Sequence, residues 1–270
     1  MEIFVLILLG VIVLCLALYL FMIAPRLKKR KFKLPEVGYA HRGLWDEKRP
    51  ENSMSAFSAA VERGYGIETD VRLTKDGEAV LFHDDTLERV CGDSRKVIDC
   101  TYDELMQLTL SGSEERVPRL EELLSLAGGR VPLLIELKGE DLRGELCDKI
   151  APMLDGYGDM LVVESFNPLL LRRMKKLRPE MPRGQLVTNL PAQKYPGNKI
   201  RNCLLSWLML NFLSKPDFIA YDGRFPNAVS VNICIKLFGA RAMIWTPRGK
   251  AELEKAQKTG ACPIFESPDE

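Results

Sequence analysis

Short apolar runs alternate with helical patterns along residues 37–270, and this alternation restricts the fold more than any other feature of the sequence. Strands separated by helices are typical of a parallel sheet with helices packed outside it. The region holds about 235 residues, close to the length of one (β/α)8 barrel, and no Gly/Ser- or Pro-rich linker divides it. We therefore predict a single α/β domain, a TIM (β/α)8 barrel, at residues 37–270. Its predicted strands are residues 37–41, 66–73, 79–83, 132–138, 160–166, 184–188, 217–222, 241–246 and 263–266.

Several helix starts can be read from capping residues. Asn52 is expected to cap the helix that follows it. Thr101 and Glu104 have capping-box spacing, and Asn167 combines a cap with a proline at the next position. The Thr101 helix lies within residues 86–118, a segment that is too long for a plain crossover. We predict that this segment is a small insertion after the second strand region.

Residues 3–24 contain no charged side chain. As a helix they would span about 33 Å, enough to cross a hydrocarbon core of about 30 Å. A cleaved signal peptide would have a basic start, a shorter apolar run and a small-residue cleavage site. None of these is evident, since the only charged residue before the run is Glu2. We therefore predict a retained transmembrane helix, the anchor, at residues 1–25.

Six basic residues follow the anchor within residues 26–33. Basic residues next to a membrane span favour the cytoplasmic side. We expect residues 26–36 to form a basic juxtamembrane linker, in a single-pass membrane protein whose catalytic domain is cytoplasmic. The seven cysteines have no CxxC spacing, which fits a reducing compartment.

The chain beyond the linker is mildly acidic. The whole sequence has 38 basic and 37 acidic residues, and residues 34–270 keep 32 basic and 36 acidic ones. This balance argues against a nucleic-acid partner. Residues 203–213 are apolar on every side but too short to span a bilayer. They are either a buried barrel helix or a surface that touches the membrane or lines an acyl-chain site.

The sequence has two histidines, His41 and His83, and each ends an apolar run and precedes a charged residue. A single strand-end histidine is more often a hydrogen-bonded structural residue than a catalyst. Two of them at equivalent strand ends favour a site, because the carboxyl ends of parallel barrel strands open on one rim.

Acidic residues lie at the same level of the predicted strands. Glu68 and Asp70 are two residues apart, which places both side chains on one face of a strand. Glu136 and Lys138 repeat this spacing. Buried acids need compensation, and an internal ion-pair network with Lys138 or Arg42 is one solution. The three carboxylates outnumber the nearby cations, however, so an all-oxygen site for Mg²⁺ or Ca²⁺ is favoured.

A series of short motifs runs from about residue 37 to the C-terminus. They are His41-Arg42-Gly43, Pro50-Glu51-Asn52-Ser53, Glu68-x-Asp70, Thr74-x-Asp76-Gly77, His83-Asp84, Val117-Pro118-x-Leu120-Glu121-Glu122, Glu136-x-Lys138, Ser165-Phe166 and Trp245-Thr246. In order and spacing they resemble the signature of the glycerophosphodiester phosphodiesterases. That resemblance implies a metal-dependent TIM barrel that hydrolyses glycerophosphodiesters to glycerol 3-phosphate and an alcohol.

The resemblance also implies roles for the motif residues. His41 and His83 would form the general acid–base pair, Glu68, Asp70 and Glu136 would bind one divalent cation (Mg²⁺ or Ca²⁺), and Arg42 and Lys138 would contact the phosphate. Glu51 is a further candidate, as a metal ligand, as a residue that orients His41, or only as the start of the following helix. Trp245 is a candidate for the leaving-group side of the site.

Two segments depart from the family pattern on that side of the rim, namely residues 247–249 and residues 265–268. The aromatic residues near the rim have two interpretations. They could form a leaving-group pocket that favours choline through cation–π contact, or they could pack within the barrel. These residues are Trp45, Phe166, Tyr221 and Trp245.

The predicted function is therefore metal-dependent hydrolysis at the membrane. The substrate would be a glycerophosphodiester, giving glycerol 3-phosphate, or a lysophospholipid, giving lysophosphatidic acid. Two alternatives remain open at this point. One is a lipid phosphodiesterase lyase that releases a cyclic phosphate, and the other is a catalytically silent, membrane-bound binding barrel.

Overall fold

Eight parallel strands close into a barrel in the computed structural model, which describes residues 1–139 and 143–269. The strands in chain order are β1 (Tyr39–Ala40), β2 (Gly66–Leu73), β3 (Ala79–Leu81), β4 (Leu133–Leu137), β5 (Leu161–Ser165), β6 (Arg183–Val187), β7 (Phe218–Asp222), β8 (Arg241–Arg248) and β9 (Cys262–Glu266). β1 pairs with both β2 and β9, which closes the ring. The predicted TIM barrel is confirmed.

β3 is not a barrel strand. It runs antiparallel to β2 and pairs Val71 with Leu81 and Leu73 with Ala79, while β4 is the next strand of the ring. The prediction that His41 and His83 end equivalent strands is therefore wrong. The connection between β2 and β3 is a tight turn, whereas a parallel crossover needs about a dozen residues or more.

The helices surround the barrel, except for α1, which projects away from it. They are α1 (Glu2–Ile23), α2 (Met54–Glu62), α3 (Glu88–Cys91), α4 (Tyr102–Leu105), α5 (Leu120–Ala127), α6 (Glu145–Ile150), α7 (Pro168–Leu177), α8 (Lys199–Ser206), α9 (Asn211–Ser214), α10 (Val229–Asn232) and α11 (Gly249–Lys258). A π-helical turn, Ile233–Leu237, continues α10. Strand residues such as Ile67 and Val163 pack against Phe57 of α2 and Leu170 of α7 to form the main core.

The predicted insertion after the second strand region is confirmed. It contains α3 and α4, and α4 begins at the capping box that Thr101 and Glu104 form. Its apolar side chains, including Leu87, Val97 and Leu105, make a small core of their own beneath β3.

The residues predicted to form a linker close the amino-terminal end of the barrel. Phe32 is buried there, with its ring 5.9 Å from the ring of Phe218. The guanidinium of Arg241 lies 4.4 Å from the centre of the Phe32 ring and donates a 2.7 Å hydrogen bond to the Phe32 carbonyl. Arg26 and Arg30 both pair with the buried carboxylate of Asp217. This basic segment is therefore part of the folded domain as well as a connection to α1.

α1 is long and apolar enough to cross a membrane, and it is the one such helix among the described residues. Its side chains are exposed as far as Leu18, but Ile23 at its end is fully buried. Polar side chains of the barrel hold this end, because Asn211 donates 2.9 Å to the Ile23 carbonyl and Lys215 donates 3.3 Å to the Ala24 carbonyl.

Residues 203–213 form the end of α8, the following turn and the start of α9. Leu208 lies in the same buried cluster as Ile23, with Met209 packed against that cluster. Tyr19 and Trp207 make an edge-to-face contact at 6.4 Å. This segment therefore packs against the barrel through Leu208 and against α1 through Trp207, while Cys203 and much of the Trp207 side chain stay exposed.

Candidate active site

Three carboxylates converge at the carboxyl end of the barrel strands. Glu68 and Asp70 lie on β2 and Glu136 lies on β4, and one ligand oxygen from each lies within 4.8 Å of the others. The side chains are 1%, 0% and 6% exposed. The i, i+2 spacing does bring Glu68 and Asp70 to the same interior face. Hard divalent cations prefer such an all-oxygen donor set.

Burial and mutual repulsion dominate the electrostatics of this cluster. Burial, and then Asp70 and Glu136, raise the pKa of Glu68 well above its ordinary value. Burial also raises the pKa of Glu136, although Lys138 offsets part of the effect. Burial opposes ionisation of Asp70, but Lys138 and then His83 outweigh it and hold the pKa of Asp70 well below its ordinary value. The ammonium of Lys138 lies 3.0 Å from Asp70 Oδ1 and 2.8 Å from Glu136 Oε2.

A fourth buried carboxylate, Glu164 on β5, stands beside the cluster. β5 pairs Glu164 directly with Glu136. Burial, and then Glu136, raise the pKa of Glu164 well above its ordinary value. Glu164 was not predicted from the sequence, although it is also an acid inside an apolar strand, as Glu136 is. A divalent cation would balance the excess of these four carboxylates over the nearby cations Lys138, Arg42 and Arg72.

His41 follows β1 and is held by a carboxylate from the last strand. Its Nδ1 lies 2.6 Å from Oε1 of Glu266, while its Nε2 lies 3.9 Å from Oε2 of Glu68. With Nδ1–H donating to Glu266, Nε2 is left as the proton-accepting nitrogen. Burial lowers the pKa of His41, although Glu266 acts in the opposite direction. Glu266 was noted from the sequence only as part of a departure from the family pattern.

His83 reaches the same rim from the hairpin. Its Nδ1 lies 2.6 Å from Oδ1 of Asp84, and Asp84 Oδ2 accepts a 2.6 Å hydrogen bond from Arg89. The amide of Phe82 donates 3.0 Å to the carbonyl of Asp70, so the returning strand brings His83 to the level of the carboxylates. Each histidine therefore has a carboxylate at Nδ1, although only His41 follows a barrel strand.

Glu51 lies between two arginines. Arg42 Nη1 donates to it at 2.8 Å, and Arg89 donates two hydrogen bonds to it at 2.8 and 2.6 Å. Burial opposes ionisation of Glu51, but Arg89 and then Arg42 lower its pKa. The polar contacts of Glu51 are thus with these arginines rather than with His41. Through Glu51 and Arg89, Arg42 is connected to Asp84 and hence to His83.

Asn52 holds Asp70 in place. Its Nδ2 donates 2.9 Å to Asp70 Oδ2, and its Oδ1 accepts a 2.8 Å hydrogen bond from Thr69. The prediction that Asn52 caps α2 is wrong, because Ser53 accepts the hydrogen bond from the Ala56 amide. An asparagine and a serine side by side are both good caps, so sequence alone could not separate their roles.

Trp245 lies at the rim end of β8 and packs against Phe166. The two rings meet edge to face at 5.8 Å, and the indole N–H donates 3.2 Å to the carbonyl of Ala220. Tyr221 instead belongs to the cluster between the barrel and its outer helices. The four-residue aromatic pocket considered from the sequence is therefore reduced, because Tyr221 is not part of the rim.

Clustered buried carboxylates, two carboxylate-bound histidines and the cations Arg42 and Lys138 thus meet at the carboxyl ends of the strands of a closed parallel barrel, which is where barrel enzymes carry their active sites. A model of the glycerophosphoryl diester phosphodiesterase family matches residues 41–266. The chain belongs to this family.

Curated relatives carry matching names. A glycerophosphodiester phosphodiesterase of Caldanaerobacter subterraneus is 38% identical over 159 residues, which cover 54% of this chain and 65% of the relative. One of Bacillus altitudinis is 37% identical over 167 residues, which cover 57% of this chain and 68% of the relative. The aligned segment thus spans about two thirds of the length of these relatives.

Solved structures resemble the whole barrel. A phosphodiesterase of Oleispira antarctica, in complex with the product sn-glycerol-3-phosphate, superposes with a TM-score of 0.69 at 26% identity and covers 84% of this chain and 91% of its own. A glycerophosphodiester phosphodiesterase of Parabacteroides distasonis gives 0.61 at 26% identity and covers 85% and 90%.

Proposed function

We propose that the rim hydrolyses a glycerophosphodiester to glycerol 3-phosphate and an alcohol in a metal-dependent reaction. The observation that carries the proposal is the convergence of Glu68, Asp70 and Glu136 next to His41 and His83, each of which has a carboxylate at Nδ1. The names of the relatives and the product bound to the Oleispira antarctica enzyme support this substrate class.

Glu68, Asp70 and Glu136 would hold one divalent cation, Mg²⁺ or Ca²⁺. The chemistry of these ligands suits a cation. The three carboxylates are buried close together, so the negative charge of one disfavours ionisation of another, and a positive charge between them would relieve this repulsion. When bound, such a cation neutralises charge on the phosphoryl oxygens and lowers the pKa of a nearby hydroxyl or water.

His41 is the proposed general base. Glu266 fixes its Nδ1–H, so Nε2 faces the carboxylate cluster as a proton acceptor. His83 is the proposed general acid. Its Nδ1 is occupied by Asp84, so Nε2 is the nitrogen left to give a proton to the leaving alkoxide. A matched pair of this kind can serve a phosphodiester, which needs both an activated nucleophile and a protonated leaving group.

Arg42 and Lys138 are the proposed phosphate-binding residues. The carboxylates around Lys138, led by Asp70, outweigh the opposing effect of burial and raise its pKa. Those around Arg42 have the same net effect on its pKa. Both side chains stay cationic beside the site, where they can stabilise charge that grows on the phosphoryl oxygens. We assign Glu51 the role of positioning Arg42, and Trp245 the role of bordering the leaving group.

The proposed membrane attachment uses residues 1–25 as the anchor, 26–36 as the juxtamembrane segment and 37–270 as the barrel domain. Retention of the anchor is supported by the burial of Ile23 and by the hydrogen bonds that Asn211 and Lys215 make to its last carbonyls. The basic residues that follow support a cytoplasmic barrel. The intact mass of the protein isolated from membranes tests retention, since cleavage directly before Arg26 would remove residues 1–25, including Ile23.

Identification of the products by mass tests the reaction itself. Full-length protein in detergent would be given glycerophosphocholine, glycerophosphoethanolamine and lysophosphatidylcholine with Mg²⁺ or Ca²⁺. Glycerol 3-phosphate from the first two supports the proposal, whereas a cyclic phosphate as final product would make the protein a lyase. Equal rates on lysophosphatidylcholine and glycerophosphocholine would remove the case for an acyl site, and no turnover in detergent or in liposomes would favour a binding barrel.

A further inference from the structure

Most apolar side chains that the barrel exposes lie on one side of it. After the end of α1, the described residues expose nine large hydrophobic side chains. Five of them come from the stretch between β6 and β8, and a sixth directly follows α1. These six are Tyr195, Ile200, Trp207, Val229, Leu237 and Leu27.

Two neighbouring helical segments carry these residues as outward stripes. Ile200, Cys203 and Trp207 recur at intervals of three and four along α8, and Val229 and Leu237 are eight apart on α10 and its π-helical continuation. Ile200 is 72% exposed, Trp207 46%, Val229 58% and Leu237 66%. Residues at these spacings share one face of a helix, so each segment presents an apolar side to the outside of the domain.

The other barrel helices present mainly polar or charged side chains to the outside. The exposed positions on α5 and α6 are polar, such as Glu121, Ser125 and Asp148, while those on α7 and α11 include Arg172 and Lys255. An outward apolar stripe is therefore specific to α8 and α10, and it calls for a partner that covers it.

The end of α1 packs between these two segments. Ile23 shares a buried cluster with Leu208, which follows α8, and with Cys234, which follows α10. The Ile23 carbonyl accepts hydrogen bonds from Asn211 and from the Cys234 thiol. The stripes therefore flank the point at which a helix able to cross a membrane leaves the domain, and its packed end fixes which side of the barrel faces the membrane.

We infer that the face formed by α8, α10 and the π-helical turn lies in the interfacial region of the lipid bilayer that α1 crosses. Trp207 stands at the edge of this face, where its amphipathic ring suits the boundary between headgroups and acyl chains. Lys199, Arg201 and Lys236 are exposed around the stripes and suit anionic headgroups. The inference rests on the membrane anchoring proposed above and adds a second contact, which orients the barrel.

Fluorescence quenching by brominated phosphatidylcholine tests this inference with the full-length protein in nanodiscs. The chain has three tryptophans, Trp45, Trp207 and Trp245. We expect bromine near the headgroup end of the acyl chains, the depth proposed for Trp207, to quench the wild-type protein. Trp207→Phe should lose most of this quenching, while the matched control Trp45→Phe should keep it. A Leu237→Trp substitution in the Trp207→Phe background should restore it.

Equal quenching in wild type and Trp207→Phe, together with no rescue by Leu237→Trp, would overturn the inference. Protection of Trp207 from both the bromolipid and aqueous acrylamide would also overturn it, in favour of a protein partner or a second copy of the chain. Leu9→Trp in the same background separates the two proposals. If Leu9→Trp is quenched and Trp207 is not, the proposed interfacial contact is wrong but the proposed membrane anchor stands. If neither tryptophan is quenched, the proposed membrane anchor is wrong as well.

Discussion

Glu266, on the last strand of the barrel, lies 2.6 Å from Nδ1 of His41, which follows the first strand. The closure of the ring makes this contact, because β1 pairs with β9 and the amide of His41 donates to the carbonyl of Phe265. Oε2 of Glu266 is in turn 2.8 Å from Arg248. The proposed general base is thus held in one tautomer by a residue at the other end of the sequence.

Replacement of Glu266 by glutamine should lower kcat by about 10²–10⁴-fold, the usual contribution of a positioned acid or base. Glutamine is nearly isosteric but no longer selects the tautomer that leaves Nε2 free. Steady-state kinetics on glycerophosphocholine measure the loss, with the exposed Glu254→Gln on α11 as the control. A variant that keeps wild-type kcat would show that His41 does not act through this contact.

As the pH is lowered, kcat/KM should fall with a midpoint below the ordinary histidine pKa of about 6.5. Burial lowers the pKa of His41, so His41 stays neutral and able to accept a proton at a pH where a free histidine is protonated. Because Glu266 acts to raise this pKa, residual activity of Glu266→Gln should have an acid limb at still lower pH. A pH profile of both proteins checks the sign, and a shift to higher pH in the variant would be inconsistent with the assigned base.

Glu68→Gln should stabilise the metal-free protein while removing its response to metal. Burial and the neighbouring carboxylates oppose ionisation of Glu68, and glutamine removes that cost while still accepting the 3.0 Å hydrogen bond from the Arg42 amide. A gain of 1 kcal/mol would raise Tm by about 2–4 °C in a domain of this size. Thermal unfolding with and without Mg²⁺ or Ca²⁺ measures both effects against Glu254→Gln. If the Tm of Glu68→Gln still rises when metal is added, Glu68 is not a metal ligand.

Phe32→Ala should destabilise the barrel by about 3–5 kcal/mol, as for other buried aromatic residues. The ring fills the amino-terminal end of the barrel between Phe218 and Arg241. Urea unfolding of the full-length protein in detergent measures the change. Phe4→Ala, on the exposed part of α1, is the matched control and should leave the unfolding of the barrel unchanged. Equal stability of the two variants would mean that residues 26–36 act only as a connection.

Much of the fold could be predicted because its determinants are local. The apolar runs locate the barrel strands to within about two residues, and the i, i+2 spacing correctly joins Glu68 to Asp70. The direction of β3 was wrong because an apolar run of this length looks the same in a parallel and in an antiparallel strand. Only the short connection between β2 and β3 indicates that the two strands are antiparallel.

The missed contacts depend on tertiary structure. Glu266 meets His41 only through closure of the ring, and Phe32 has a role only once the amino-terminal end of the barrel exists to be filled. The cap of α2 is Ser53 rather than Asn52, whose side chain instead donates a hydrogen bond to Asp70, a partner that lies 18 residues away in the sequence. By contrast, Glu164 could have been found, since a lone acid in an apolar strand was already the criterion applied to Glu136.

The most direct test of the proposed function is the hydrolysis of glycerophosphocholine by the full-length protein, with Mg²⁺, with Ca²⁺ and with chelator. His41→Ala and His83→Ala would be assayed beside the wild type and Glu254→Gln. We predict that the wild type and the control release glycerol 3-phosphate only when metal is present, and that either histidine variant loses at least about 10²-fold in activity. Turnover that survives the chelator, or that survives in both histidine variants while all proteins remain folded, would contradict it.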